Sequence, residues 1–151
     1  MNQKIIETSL EVNEWYDTID RKIDLIITDP PYPFDSKNGT NRFSNMYSML
    51  SWDDFSLFYE KMYDMSNDGA RAYVFCNRDG IFETKPRMES SGWTFRNMLV
   101  WNKKRMGMGY HWRNNTEYVI YATKGKPKTY VRSCGNIFSY KKPRNLGISA
   151  K

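Results

Sequence analysis

Six residues near the start of the chain constrain its fold more than any others. Ile23-Asp24-Leu25-Ile26-Ile27-Thr28 is an apolar, β-branched run that stops against Asp29-Pro30-Pro31-Tyr32. Leu25, Ile26 and Ile27 occupy consecutive positions, so they point to both sides of an extended chain. That pattern predicts a strand buried on both faces, as in a parallel sheet covered by helices. The prolines end it, because each fixes φ at about −65° and has no N–H to give to a ladder.

The following residues alternate in the same manner. Residues 9–20 (SLEVNEWYDTID) read as a short amphipathic helix, and 33–51 as a long polar loop. Ser51 is placed to cap a helix over 52–67, with Asp53 and Asp54 in the first turn where the dipole favours acids. Asp68-Gly69 reads as its stop. Residues 70–76 (ARAYVFC) read as a second buried strand, 79–91 as a helix weakened by Pro86, and 93–102 and 116–123 as two further strands. Helix and strand alternation predicts an α/β domain with a mostly parallel sheet. The last two strands have no helix between them and are expected as an antiparallel pair at one edge. After Thr123 the chain turns Gly-, Pro- and Lys-rich and reads as irregular.

Charge divides the 151 residues into two parts. Residues 1–90 hold ten basic and sixteen acidic side chains, a net of −6, whereas 91–151 hold thirteen basic ones and Glu117 alone, a net of +12. Phosphate neutralisation supplies most non-specific affinity for nucleic acid, so a basic half points there. The strongest candidates for phosphate contacts are Lys103, Lys104, Arg105 and Arg113 in the loop KKRMGMGYHWRNN, with His111 beside them. Trp112 in that loop could stack on bases, whereas Trp101, in mid-strand, is expected in the core. In the loop 33–51, Arg42, Phe43 and Tyr47 could close over a base or a cofactor. No apolar run approaches the ~20 residues that span a bilayer, and the N-terminus lacks the pattern of a signal peptide. With only Cys76 and Cys134, no disulfide framework is expected, and the reducing cytoplasm is the expected compartment. One histidine and two distant cysteines assemble no metal site.

The corner after the first strand carries chemistry of its own. In open α/β sheets, ligands bind outside the carboxyl ends of the strands. Asp29 and Pro30 each precede a proline and are pushed toward extended conformations. The Asp29 carboxylate and the Pro30 carbonyl are then two acceptors close together, and Tyr32 adds a flat ring. A planar group bearing an NH₂, such as adenine or cytosine, matches them. Two fixed acceptors would draw the amine toward tetrahedral geometry and free its conjugated lone pair.

IDLIITDPPY resembles the catalytic motif of the amino-methyltransferases that modify adenine N6 or cytosine N4 in DNA with S-adenosylmethionine. Their motif is D/N/S-P-P-Y/F/W, and the DPPY form is most typical of the adenine-N6 enzymes. The likeness covers about residues 20–125. It continues through WDDFSLFYEKMYDMSNDGARAYVFCN and LVWNKKRMGMGYHWRNNTEYVIYATKG, with Glu117 at the position where the family opens its last strand. The resemblance implies a Rossmann-like methyltransferase fold, double-stranded DNA as partner, a flipped base and Asp29, Pro30, Pro31 and Tyr32 as the catalytic residues. It leaves room for a homodimer. Only 28 residues precede Asp29, too few for a glycine-rich cofactor unit of about 30 or more. The order is therefore that of the beta class, with the catalytic half first. Gly107-Met108-Gly109 lies in the basic loop and opens no helix, and no F-x-G-x-G follows Thr123. The expectation is a single methyltransferase catalytic region over 1–151, truncated before the cofactor half. Ser149-Ala150-Lys151 is similar to the start of the element that opens that half. Asp29, Ser149 and Lys151 are thus the residues the resemblance assigns to the cofactor. Cytosine-N4 methylation and an inactive DNA-binding remnant are the alternatives.

Overall fold

In the computed structural model, the described residues are 19–30, 51–107, 110–129 and 133–141. The expected helix over 9–20 and the loop 33–51 lie almost wholly outside them.

β1 (Ile23–Thr28) runs over the expected six residues, and α1 (Trp52–Asp64) follows. Ser51 caps α1 by accepting from the Asp54 N–H, while the Asp54 carboxylate accepts from the Ser51 N–H at 2.7 Å. This reciprocal box satisfies two N–H groups that a bare helix start would leave unmet. α1 ends earlier than expected, at Asp64 rather than at Asn67. The reason is tertiary. The carbonyls of its last turn are taken by Ser66 Oγ (from Met62), Lys124 Nζ (from Tyr63), Lys22 Nζ (from Asp64) and the Ile23 N–H (from Met65). The chain passes straight into β2 (Ser66–Cys76), which absorbs Asp68 and Gly69 in an irregular start where the pairing with β1 shifts register.

α2 (Ile81–Ser90) contains Pro86, as expected. It ends on Gly92 at φ 96°, where the Trp93 N–H reaches Met88 O and the Gly92 N–H reaches Glu89 O. These two bonds are a Schellman closure, which a residue at C′ can make only in the left-handed region. β3 (Thr94–Asn102) and β4 (Thr116–Thr123) follow, then a short β5 (Ile137–Ser139) that the irregular tail had concealed.

The sheet order is β1-β2-β4-β3-β5. β1 and β2 are parallel, β4 is antiparallel to both β2 and β3, and β3 and β5 are parallel. Of the five described strands, four therefore point one way and β4 runs against them. The β3–β4 pair is antiparallel as expected but does not form the edge, because β5 adds to the outer side of β3. Among the described residues two helices accompany this mixed sheet.

Both helices cover one face. Phe55, Tyr59 and Met62 of α1 and Met88 of α2 pack on Ala72, Val74 and Cys76 of β2, Ile120 and Ala122 of β4, and Trp93. Each large side chain buried there contributes about 1.5–3 kcal/mol by leaving water. The other face differs from the expectation of burial on both sides. Leu25 and Ile27 of β1 are 53% and 65% exposed, while Ile26 between them packs on the core. Beside them Tyr73 and Tyr121 stack at 4.8 Å across β2 and β4. The described helices pack on the opposite face, so the face carrying Leu25 and Ile27 has no described helix over it, and the apolar run alone could not reveal that.

Candidate active site at the carboxyl edge of the sheet

The register brings the chemistry-bearing segments to one edge. Thr28 pairs with Val74, and Val74 with Ile120. Cys76 pairs with Tyr118, Trp101 with Glu117, and Asn102 with both Thr116 and Ser139. The ends of β1, β2, β3 and β5 and the start of β4 therefore share one rim. Asp29-Pro30 leaves β1 there, Asn77–Gly80 leaves β2, and the basic segment 103–115 joins β3 to β4.

Asp29 is exposed and Pro30 is buried. The proline ring is thus seated in the protein, and the acid stands outward at the end of the strand. Pro31 and Tyr32, the other two expected catalytic residues, lie outside the described residues, as do Ser149 and Lys151. Adjacent strands lie about 4.8 Å apart, so β4 and Glu117 stand roughly 10 Å to the side of β1.

The basic segment is an arm with a braced base. The Lys103 N–H bonds to Asn115 O at 2.9 Å, and the Gly107 N–H to Asn114 O at 2.6 Å. Arg113 Nε donates to Gly107 O at 2.8 Å. The arms approach so closely at Gly107 that a Cβ there would lie 2.6 Å from the Asn114 carbonyl oxygen, which only glycine avoids. At the base, Lys103 Nζ lies 2.6 Å from Glu117 Oε1, with the two side chains 18% and 39% exposed. Lys103, expected to face phosphate, is held by Glu117. Lys104, Arg105, His111 and Arg113 are exposed. Tyr110 and Trp112 are 96% and 88% exposed, and His111 meets the Tyr110 ring edge-on at 4.9 Å.

Trp101 differs from its expected core position. It lies on β3 opposite Glu117, half-buried, and its Nε1 donates to Tyr140 O at 3.0 Å, just past β5. Cys76, at the end of β2, is buried, and burial pushes its thiol up to about 12, which removes it as a nucleophile at neutral pH. Cys134 is exposed. Among the described residues no group of three or more His, Cys, Asp or Glu side chains could hold a metal, and no helix is long and apolar enough to cross a membrane.

Residues 23–146 match the DNA methylase family of N6/N4 methyltransferases. The chain belongs to that family. Solved structures agree on the fold of this methylase region. The crystal structure of the M1.HpyAVI–SAM complex aligns with a TM-score of 0.57 at 16% identity, covering 86% of this chain and 62% of that one. The structure of M1.HpyAVI aligns with the same TM-score at 18% identity, covering 83% of this chain and 60% of that one. The chain thus spans about three fifths of the length of the methylase structures it matches. A search of the curated proteins finds no match.

The methylase match begins at Ile23, the first residue of β1, and so takes in both the Asp29-Pro30 corner and the arm. Sequence reasoning missed the Lys103–Glu117 pair and β5. The pair had one signal, the only acid of the basic half, standing across the mouth of the arm from a lysine. β5 had none beyond the apolar Ile137-Phe138 within a polar tail.

Proposed function

We propose that the chain carries the catalytic residues of a DNA adenine-N6 methyltransferase that uses S-adenosylmethionine. The observation that carries this reading is the Asp29-Pro30 corner. An exposed carboxylate and a seated proline end an edge strand at the carboxyl rim, in a chain of the N6/N4 methylase family.

The chemistry follows from the acceptors. An exocyclic amine is a poor nucleophile because its lone pair is delocalised into the ring. The Asp29 carboxylate accepts one N–H and the Pro30 carbonyl the other, which holds the nitrogen in place and turns its lone pair out of the ring plane. Both acceptors also stabilise the positive charge that grows on nitrogen, and they are fixed before the reaction begins. Pro31 stiffens the corner and Tyr32 stacks on the base. S-adenosylmethionine supplies the electrophilic methyl group. Of the residues assigned to it, Asp29 fits by its chemistry, since an exposed carboxylate can also accept from the ammonium of an amino acid. The amine of a paired base cannot be reached inside the duplex, so the target base must leave the stack.

Double-stranded DNA as the partner is supported by the net charge of +12 over 91–151 and by the exposed Lys104, Arg105 and Arg113 on the arm that leaves the same rim as the corner. Adenine is favoured over cytosine by the DPPY form of the motif. To test this, the full-length protein that carries this chain is incubated with duplex DNA and methyl-labelled S-adenosylmethionine, and the DNA is digested to nucleosides. Labelled N6-methyldeoxyadenosine is the expected product. Labelled N4-methyldeoxycytidine in its place refutes the adenine assignment, and DNA binding without label in either base identifies a binding remnant.

A further inference from the structure

We propose that Tyr110 and Trp112, at the tip of the arm between β3 and β4, form a stacking platform for unpaired DNA bases, so that the chain binds locally opened DNA more tightly than intact duplex. The inference rests on the DNA-methylating function above and names the form of the DNA that the arm holds.

Three observations converge on the tip. Tyr110 and Trp112 are the two most exposed of the large apolar side chains among the described residues, at 96% and 88%. Rings of that size leave water wherever a neighbour is at hand. Two such rings, two residues apart on one tip, are therefore surface presented to something outside the fold. Second, the tip is braced. Cross-arm bonds at Lys103, Gly107 and Arg113, together with the Lys103–Glu117 pair, hold the base of the arm, so the rings stand on a fixed stem. Third, the arm that carries the rings also carries cations. Lys104, Arg105 and Arg113 are exposed on the same arm, and Glu117, the sole acid nearby in sequence, is already paired with Lys103.

Exposed rings among cations suit a phosphate backbone carrying bases with free π-faces. In intact duplex those faces are covered by neighbouring base pairs and only phosphates are available. Where a base has left the stack, its neighbours offer uncovered faces beside the rim that carries Asp29. The arm starts and ends on that rim, because Asn102 and Thr116 pair with each other there. Lys104 and Arg105 then set affinity for any DNA, and Tyr110 and Trp112 add affinity only where bases are unpaired.

The test is fluorescence anisotropy of the full chain with three labelled DNAs of equal length: a paired duplex, the same duplex with a three-nucleotide central bubble, and a single strand. Bubble DNA is expected to bind about a hundred-fold more tightly than duplex, about ten-fold from each ring. Trp112→Ala and Tyr110→Ala each lower bubble affinity by about ten-fold, the scale of one stacked base, and leave duplex affinity within two-fold. Trp112→Phe keeps most of the preference. The dependence of affinity on salt stays unchanged in these variants, since no charge is removed. Lys104→Ala weakens all three DNAs alike and makes the salt dependence shallower. Unchanged bubble affinity in both Trp112→Ala and Tyr110→Ala overturns the inference and leaves the proposed methyl transfer standing. Failure of the unsubstituted chain to bind any of the three DNAs overturns both.

Discussion

The ammonium of Lys103 sits 2.6 Å from a carboxylate oxygen of Glu117, across the mouth of the arm between β3 and β4. Lys103 is the more covered partner, and neither side chain is free to follow a moving ligand. Removing one partner leaves the other half-covered and unpaired, which costs more than losing an exposed ion pair. Lys103→Met and Glu117→Gln should each lower stability by about 1–2 kcal/mol, and the double variant should cost less than the sum. Urea unfolding of the four proteins checks this. Strict additivity shows that the pair carries no coupling. Lys103→Met should also leave the salt dependence of DNA binding unchanged, because a lysine occupied by Glu117 neutralises no phosphate.

Asp29 stands outward at the end of β1 while Pro30 is buried behind it. Asp29→Ala keeps the corner and removes one of the two proposed acceptors. Loss of a single preorganised partner costs about 10²–10³ in rate, so the variant should transfer methyl groups to DNA at least a hundred-fold more slowly. DNA affinity should stay within two-fold, since an acid contributes nothing to phosphate binding. Label incorporation and anisotropy on the same preparations separate the two effects. Retained transfer by this variant sinks the mechanism.

Legibility in the sequence followed the range of the interaction that decided each feature. β1 and β4 fell on the expected residues because runs such as IDLIIT and TEYVIYAT are bounded within the run itself. The Ser51 cap was legible because both halves of its box lie three residues apart. The end of α1 was not legible. Its last carbonyls are taken by Lys22, Ile23 and Lys124, which the folding of the sheet brings from afar. β5 forms only by pairing with β3 some 37 residues earlier, Val100 with Ile137. Leu25 and Ile27 looked buried because the run says what a strand is made of and nothing about what lies beside it. At the rim, the Asp29-Pro30 corner could be placed from the strand that precedes it. The tie between Lys103 and Glu117 could not, because a lysine in a basic loop looks the same whether or not an acid waits across the hairpin.

Gly92 closes α2 at φ 96°, and a Cβ added there would lie 2.8 Å from Tyr63 Cζ. The backbone conformation and the space both demand glycine. Gly92→Ala should destabilise the protein by about 1–3 kcal/mol through left-handed strain and displacement of a ring that packs edge-on against Trp93 at 5.5 Å. The shift in urea midpoint measures it, and an effect within about 0.5 kcal/mol shows that the closure relaxes.

Tyr59 and Cys76 both lie in the core, and burial raises both, the phenol from 10.0 to about 12 and the thiol from 9.0 to about 12. The folded chain thus keeps both protons to about pH 12, whereas the unfolded chain releases the thiol proton near pH 9 and the phenol proton near pH 10. Their stabilising effect is complete below pH 9 and is lost as pH rises toward 12. The slope reaches about 1.4 kcal/mol per pH unit for each group whose proton is held only in the folded state. Melting temperature should therefore fall steadily between pH 9 and 11.5. Tyr59→Phe removes one of the two protons along with the 3.3 Å bond to Thr84 Oγ1. That variant should be about 1 kcal/mol less stable at pH 7, yet lose less on going from pH 10 to 11.5 than the unsubstituted protein. Parallel melting curves for the two proteins above pH 10 would show that the Tyr59 hydroxyl is not what the alkaline transition titrates.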